Sequence, residues 1–463
     1  MFNVFLAKKT LIFKIRLFFF LVFANAAFSE PEVLNNLSKE PDLNIVDLEL
    51  SGFERTSEKW LRHFLRLRNL PKLIKQSGIE NIRLRLLKTG VFYHVEVGFK
   101  KKILATKSNF PQDGTLLITV KEAWTTIPVI RAAYGGGEPL KILGIYDTHS
   151  FGRLLTLGGQ MEQYGEAPWG YVLWIKSPFA YQARYEMGLE LWNTQRNRAI
   201  YDKAFEEIYR LDIDSHKLRA YMYAPISFPA LSQIMQNSRL QAGIDLNYDR
   251  NSIKVIEEDA AENAAISQQY PSEPVFEAQV LPTFIFDGIK RYGQIYDGAR
   301  SILKIGTLNS ERRSGSRLEF ESFYYQVLPA SSNLAMHLFI GQNEHSDTAS
   351  KYYLGGLDAI RGTPEGVYRG RRAAYLNAEV RREFSRSENF SYSYLWFSDV
   401  GGASDRWQEL KEHYSLTSGL GLRIGLPKAP RVTFRLDYGW DFVRSNHGVA
   451  LGMNHFFQPY KPL

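Results

Sequence analysis

Few residues in this 463-residue chain are spaced for bond-breaking chemistry. There is no His-Glu-x-x-His pair for a catalytic metal, no Gly-x-Ser-x-Gly elbow and no Walker loop. Gly135-Gly136-Gly137 offers glycines but no lysine to meet a phosphate. The nine histidines are scattered. His337 and His455 are candidates for a Ser/His pair only in the loose sense that triads are defined by geometry, and a plain strand histidine is the simpler reading. The chain has no cysteine, which excludes disulfides, thiolate metal sites, iron–sulfur clusters and thiol nucleophiles. Glu162, Glu379 and Asp437 are carboxylates set among arginines, a mix that suits a satisfied polar interior better than acid–base work. The sequence therefore predicts no catalytic residue, no metal site and no cofactor.

The elements that hold these residues begin with a leader. Lys8, Lys9, Lys14 and Arg16 precede the apolar run Leu17 to Phe23, and Ala24-Asn25-Ala26 or Ala27-Phe28-Ser29 offers small residues for cleavage. Seven apolar residues are too few to span about 30 Å of hydrocarbon, so 1–29 reads as a secretory signal peptide. Its removal takes four charges from the formal +8, and no nucleic-acid partner is expected of what remains. A mean hydropathy of −0.27 excludes a polytopic helical membrane protein, while 14% aromatic residues is high for a soluble enzyme.

Residues 31–42 read as a polar lead-in, and a small unit follows over 43–125. Ile45 to Leu50 alternates as a strand closed by Ser51-Gly52. Thr56 or Ser57 then caps a helix whose apolar face is Trp60, Leu61, Phe64 and Leu65. Beyond Pro71, the spacing of Ile74, Ile82, Leu86 and Leu87 predicts a second helix, ended by Gly90. Val91 to Gly98 and Leu116 to Val120 are two further strands, giving an α+β order of β-α-α-β-β. The stretch Leu48 to Thr56, with its Gly52-x-x-x-Thr56, and the turn Leu86-Leu87-Lys88-Thr89-Gly90-Val91-Phe92 resemble a POTRA domain. In that resemblance Gly90 makes the turn and Phe92 packs back on the helices. It implies a domain that receives unfolded chains along a sheet edge.

From about residue 130 to 463 the pattern is all β. Segments of eight to twelve residues alternate apolar and polar, as in Val432 to Trp440, separated by Gly, Asn, Asp and Ser clusters. Tyr392, Tyr394 and Trp396 share one face, as do Phe434, Tyr438 and Trp440, which suits the aromatic girdles of a transmembrane barrel. About sixteen antiparallel strands are expected between 141 and 457, with 203–212 and 216–225 as two of them and 448–457 the last. Short connections at 165–168, 287–292, 328–331, 385–388 and 426–430 are assigned to the periplasmic end. The long ones, 249–275, 343–370 and 401–414, fall at the other end.

Three motifs add a family resemblance. Leu354-Gly355-Gly356-Leu357-Asp358-Ala359-Ile360-Arg361-Gly362-Thr363 resembles the loop-six motif of the BamA/TamA-like outer-membrane assembly and two-partner-secretion superfamily, with Thr363 where an aromatic is usual. Asn377-Ala378-Glu379-Val380-Arg381 and Phe397-Ser398-Asp399-Val400-Gly401 resemble its strand-twelve and strand-thirteen motifs. Leu376, Ala378 and Val380 share a face, so Glu379 points to the other side, the lumen; parity puts Asp399 there too. The resemblance implies that loop six folds into the barrel and that Arg361 meets Glu379 and Asp399, with Gly362 letting the backbone pass close to the wall. One guanidinium can bridge two carboxylates, making a structural lock. The final strand resembles an outer-membrane β-signal, with Gly452 and an aromatic at Phe457, followed by six more residues.

These resemblances imply an outer-membrane protein with its small domain in the periplasm. It would insert client barrels, or pass proteins across, through a seam between its first and last strands. Expected partners are outer-membrane lipids, unfolded client or secreted proteins, and periplasmic or lipoprotein partners. A dedicated two-partner-type secretion pore and a passive channel are the alternatives.

Overall fold

The computed structural model describes residues 42–102, 112–133, 139–179, 185–201, 206–226, 238–256, 273–292, 295–310, 314–344, 351–356, 359–429, 432–453 and 456–457. The leader expected over 1–29, the Gly135-Gly136-Gly137 run and His455 lie outside the described residues.

The N-terminal unit comprises β1 (Asp42–Ser51), α1 (Glu58–Phe64), β2 (Lys72–Lys75), α2 (Ser77–Lys88), β3 (Phe92–Lys101) and β4 (Gln112–Glu122). Its sheet order is β2-β1-β4-β3, with β1 and β4 parallel and the other pairs antiparallel. A parallel pair needs a long crossover, and the helical segment supplies it. Ser57 caps α1, its hydroxyl accepting the Trp60 amide at 3.4 Å. Leu61, Phe64, Ile82 and Leu86 from the helices bury against Ile45, Val95, Leu116 and Ile118 from the sheet. The turn residues Gly90 (φ +70) and buried Phe92 join α2 to β3. Gly52 (φ +80) ends β1 so close to β4 that an added Cβ would lie 2.0 Å from the Val120 oxygen.

The expected β-α-α-β-β order omits β2. Ile74 pairs with Leu43 on this four-residue edge strand and is not part of the second helix. A run this short cannot be assigned by apolar spacing alone.

The remainder is a ring of sixteen long antiparallel strands. They are β5 (Thr126–Ala133), β6 (Leu140–Ser150), β7 (Leu155–Tyr164), β8 (Gly170–Phe179), β9 (Tyr185–Tyr201), β10 (Glu207–Ile226), β11 (Arg239–Ile256) and β12 (Val275–Asp287). After the short β13 (Lys290–Tyr292) come β14 (Ile295–Ser310), β15 (Ser314–Leu328) and β16 (Ser332–Asn343). A loop hairpin of β17 (Tyr352–Leu354) and β18 (Tyr368–Gly370) precedes β19 (Arg372–Arg386), β20 (Ser391–Ser404), β21 (Ser415–Gly425), β22 (Thr433–Asp441) and β23 (Asn446–Met453). Along β22, Phe434, Leu436, Tyr438 and Trp440 face outward, while Arg435, Asp437 and Asp441 are buried inside. Apolar outside and polar inside is the inversion that a barrel in lipid requires.

The expected total of sixteen strands is met through two offsetting differences. β5 goes unread because it is short and carries Pro128, which breaks a strand signal but is tolerated beside an edge. In compensation, the segments expected at 203–212 and 216–225 are one strand, the 20-residue β10. The missing strand also shifts the early turns: 165–168 falls at the same end as the long loops, whereas 151–154 is the turn beside the N-terminal unit.

The reason β10 reads as two strands is physical. Along β11, Asp245, Asn247, Asp249 and Asn251 face inward, then Ile253 does. The outward face changes in step, from Ile244, Leu246 and Tyr248 to Arg250, Ser252 and Lys254. On β10 the inward Leu211 and Ile213 give way to Lys217 and Arg219, and outward Asp212 and Asp214 to Leu218 and Met222. The hydrophobic phase thus flips partway along β9–β11, setting a crown with soluble-protein patterning apart from the apolar-outside wall.

The N-terminal unit is docked on the barrel rim. Arg55 Nη2 meets Asp147 at 2.8 Å, the Ser57 amide donates to the Gly152 oxygen at 3.1 Å, and Leu154 joins the N-terminal core. The Thr56 hydroxyl lies 2.5 Å from Glu122 and 2.9 Å from His149 Nε2. Lys88 on α2 reaches Asp287 on β12 at 3.0 Å.

Candidate functional site

Between β16 and β19 the chain turns back into the lumen. The β17–β18 hairpin carries Leu354, Gly355 (φ +111) and Gly356 (φ +66), and the Gly356 amide donates to the Thr363 oxygen at 2.6 Å. Leu354, Ala359, Ile360, Val367 and Tyr368 pack as an apolar base against Ala373 and Ala403 of the wall. On the far side, Tyr353 packs on the crown cluster of Ile200, Leu211 and Ile213, and Arg198 stacks 3.8 Å over its ring.

Arg361 is carried against the inner wall formed by β19–β22 and is 1% exposed. Its Nε and Nη2 donate to the two oxygens of Asp399, each at 2.8 Å, and its own amide donates to Asp399 at 3.1 Å. Nη1 reaches Glu379 at 2.5 Å. The planar fork matches the carboxylate bidentately, an arrangement lysine cannot copy. Glu379 also accepts from Arg381 at 2.6 Å, and Arg423 pairs with Asp437 at 2.6 Å. Three guanidinium groups thus face three carboxylates in the buried cluster.

Gly362 (φ +80) lies against the wall, where an added Cβ would stand 2.9 Å from the Gly439 carbonyl. Gly448 on β23 offers the same smooth surface. Thr363 is buried, its hydroxyl donating to Asp441 at 2.8 Å beside Ser415. Asn377 holds the Ala359 oxygen at 2.8 Å.

The other candidates lie outside the Arg361 ion pairs themselves. His337 is bonded to Glu321 at 2.9 Å and Asn377 at 3.2 Å and stacks on Phe323, with no serine in its hydrogen bonds. Glu162 is buried near Arg196. Gly452 lies on β23 beside Arg435 and Arg131. The last strand stops at Met453, short of the expected 457, and Phe457 is turned into the lumen. Two rings on the Arg361 guanidinium are given no role there by the reading from sequence. Phe397 lies 3.6 Å from the Arg361 guanidinium, and its parity with Asp399 was a usable signal. Phe456 lies 4.2 Å from it and left none.

Among the described residues, the join between β5 and β23 is the thinnest in the wall. Met453 Sδ lies 3.3 Å from the Ile130 amide in the middle of β5, and β23 ends there.

No protein-family sequence model matches the chain, and no curated protein matches it in sequence. Solved structures do match in shape. CdiB from Acinetobacter baumannii is 11% identical with a TM-score of 0.60, over 90% of this chain and 74% of that one. CdiB from Escherichia coli is 8% identical with a TM-score of 0.52, over 93% and 94%. BamA from Haemophilus ducreyi lacking POTRA domains 1–3 is 13% identical with a TM-score of 0.49, over 88% and 84%. The likeness is one of fold, that of the CdiB barrels.

Proposed function

We propose that this protein resides in the outer membrane and inserts client β-strands there, or passes protein across, through a lateral seam between β5 and β23. The observation that carries the reading is the short join of those strands among the described residues, beside a wall locked from inside by Arg361. An unpaired backbone edge in lipid costs several kcal/mol per group, so a short join is a place where an incoming strand finds donors and acceptors waiting. In this reading the N-terminal unit is POTRA-like and periplasmic. Among the described residues its outer strand β3 pairs only with β4, which leaves an edge for an unfolded chain to extend. A passive channel is disfavoured, because loop six and its ion cluster occupy the lumen.

The test is the outer-membrane proteome after depletion, with wild-type and Arg361→Ala complements. Broad loss of barrel proteins, partly restored by the Arg361→Ala form, supports insertion. Loss of one exported protein with barrels intact makes the protein a dedicated secretion pore. No change in either sinks both.

A further inference from the structure

The chain's last described residues do not continue the wall. Beyond Met453, Phe456 and Phe457 are buried inside the barrel, 9% and 2% exposed. Phe457 packs with Ile289, Tyr296, Phe323, Tyr325 and Ala335, from β14–β16 and the turn before them, across the ring from β23. Its carbonyl accepts from Arg381 Nη2 at 3.4 Å, and its ring stands 5.3 Å from that guanidinium. Phe456 lies over Arg361 at 4.2 Å while Phe397 covers it at 3.6 Å. Asp399 and Glu379 occupy the edges of this planar group, so the two rings take its faces. The aromatic that the motif leads one to expect at 363 is absent, and a ring from the far end of the chain lies on the arginine.

We infer that Phe456 and Phe457 form an internal clasp that couples the end of the last strand to the loop-six lock, an inference that rests on the seam reading above. A guanidinium closed between two rings and two carboxylates is dry, and its ion pairs are correspondingly strong. Lifting Phe456 admits water and weakens the Arg361–Asp399 fork. Dislodging Arg361 removes the cation that holds Phe456. The two events are one equilibrium seen from either end. For the end of β23 to move along β5, both rings must first leave their sites. Engaged, the clasp keeps that end off the seam and loop six down; released, it frees both.

Because the chain has no cysteine, Ala359→Cys gives a single reporter thiol within the buried loop. Full-length protein in phospholipid vesicles is labelled with a maleimide, and folding of each variant is checked by heat-modifiable gel mobility. Phe456→Ala should raise the labelling rate about tenfold, as expected for losing a desolvated ring–cation contact. Phe456→Leu keeps apolar bulk without the ring face and should give about threefold, and it serves should the alanine form not fold. Unchanged labelling in folded variants overturns the clasp. Raised labelling together with an outer-membrane proteome indifferent to depletion leaves the clasp standing and removes the insertion reading. Loss of barrels on depletion with unmoved labelling does the reverse.

Discussion

Replacing Arg361 with alanine removes the fork that pairs Asp399 and Glu379, two carboxylates with no exposed side-chain surface. An exposed ion pair is worth about 0–1 kcal/mol, but stripping one partner from a buried pair costs about 3–5 kcal/mol because the other stays charged in a dry site. The structure says where in that range to look. Glu379 retains Arg381 at 2.6 Å, while among the described residues Asp399 is bonded by Arg361 alone. One carboxylate is therefore stranded, and the lower figure, about 3 kcal/mol, applies. The loss falls on loop docking, because both carboxylates remain in the wall. At 1.4 kcal/mol per tenfold, the labelling of an Ala359→Cys reporter should rise about a hundredfold or more. Arg361→Lys keeps the charge but not the fork, and about tenfold is expected. Asp399→Asn added to Arg361→Ala should recover part of the loss, since an amide does not need a cation. A rise under about threefold, roughly 0.7 kcal/mol, in Arg361→Ala protein that keeps its heat-modifiable mobility refutes the argument.

Three further outcomes follow from the same geometry. Gly362→Ala puts a side chain at φ +80 against the Gly439 carbonyl, and labelling at Ala359→Cys should rise about tenfold, from roughly 1–2 kcal/mol of backbone strain. Thr56→Val deprives Glu122 and His149 of a buried hydroxyl, at about 1–3 kcal/mol, and should broaden the spin-label distance distribution between the N-terminal unit and the barrel. Leu246→Arg on the outward face of β11 should lower the unfolding free energy in vesicles by about 2–4 kcal/mol, while Ser252→Arg, above the point where the pattern flips, should cost under about 1 kcal/mol. Equal costs for those two would mean that the crown is not outside the lipid.

How much of this could be read from sequence depends on the range of the interaction that fixes each feature. Alternation along β22 is local, and Thr433 to Asp441 shows its two faces without knowledge of any neighbour. The parity of Glu379 and Asp399 is local in the same sense. β10 misleads because Asp212, Asp214 and His216 face outward where Leu218 and Met222 also do, and only the height of the bilayer explains the change. β5 hides because Pro128 is judged against an interior strand, whereas its neighbour is the end of the chain. Phe456 is the extreme case. Its position depends on Arg361 and Phe397, 95 and 59 residues earlier, and no spacing rule connects them.

The placement of the lock bears on how a barrel could tolerate the seam proposed between β5 and β23. Glu379, Asp399, Arg423 and Asp437 stand on β19, β20, β21 and β22, the four strands leading up to β23. Loop six ties them together through Arg361, so backbone pairing lost at the seam need not spread into this wall. At β23 the character of the contact changes. Gly362 meets Gly439 on β22 and Gly448 on β23 backbone to backbone, with no side chain to interdigitate. A smooth contact resists sliding less than a packed one, because few dispersion contacts are lost as it moves. The same loop therefore fixes the four strands before the last and leaves the last one loosely seated. That division lets one strand shift while the barrel stays folded around it.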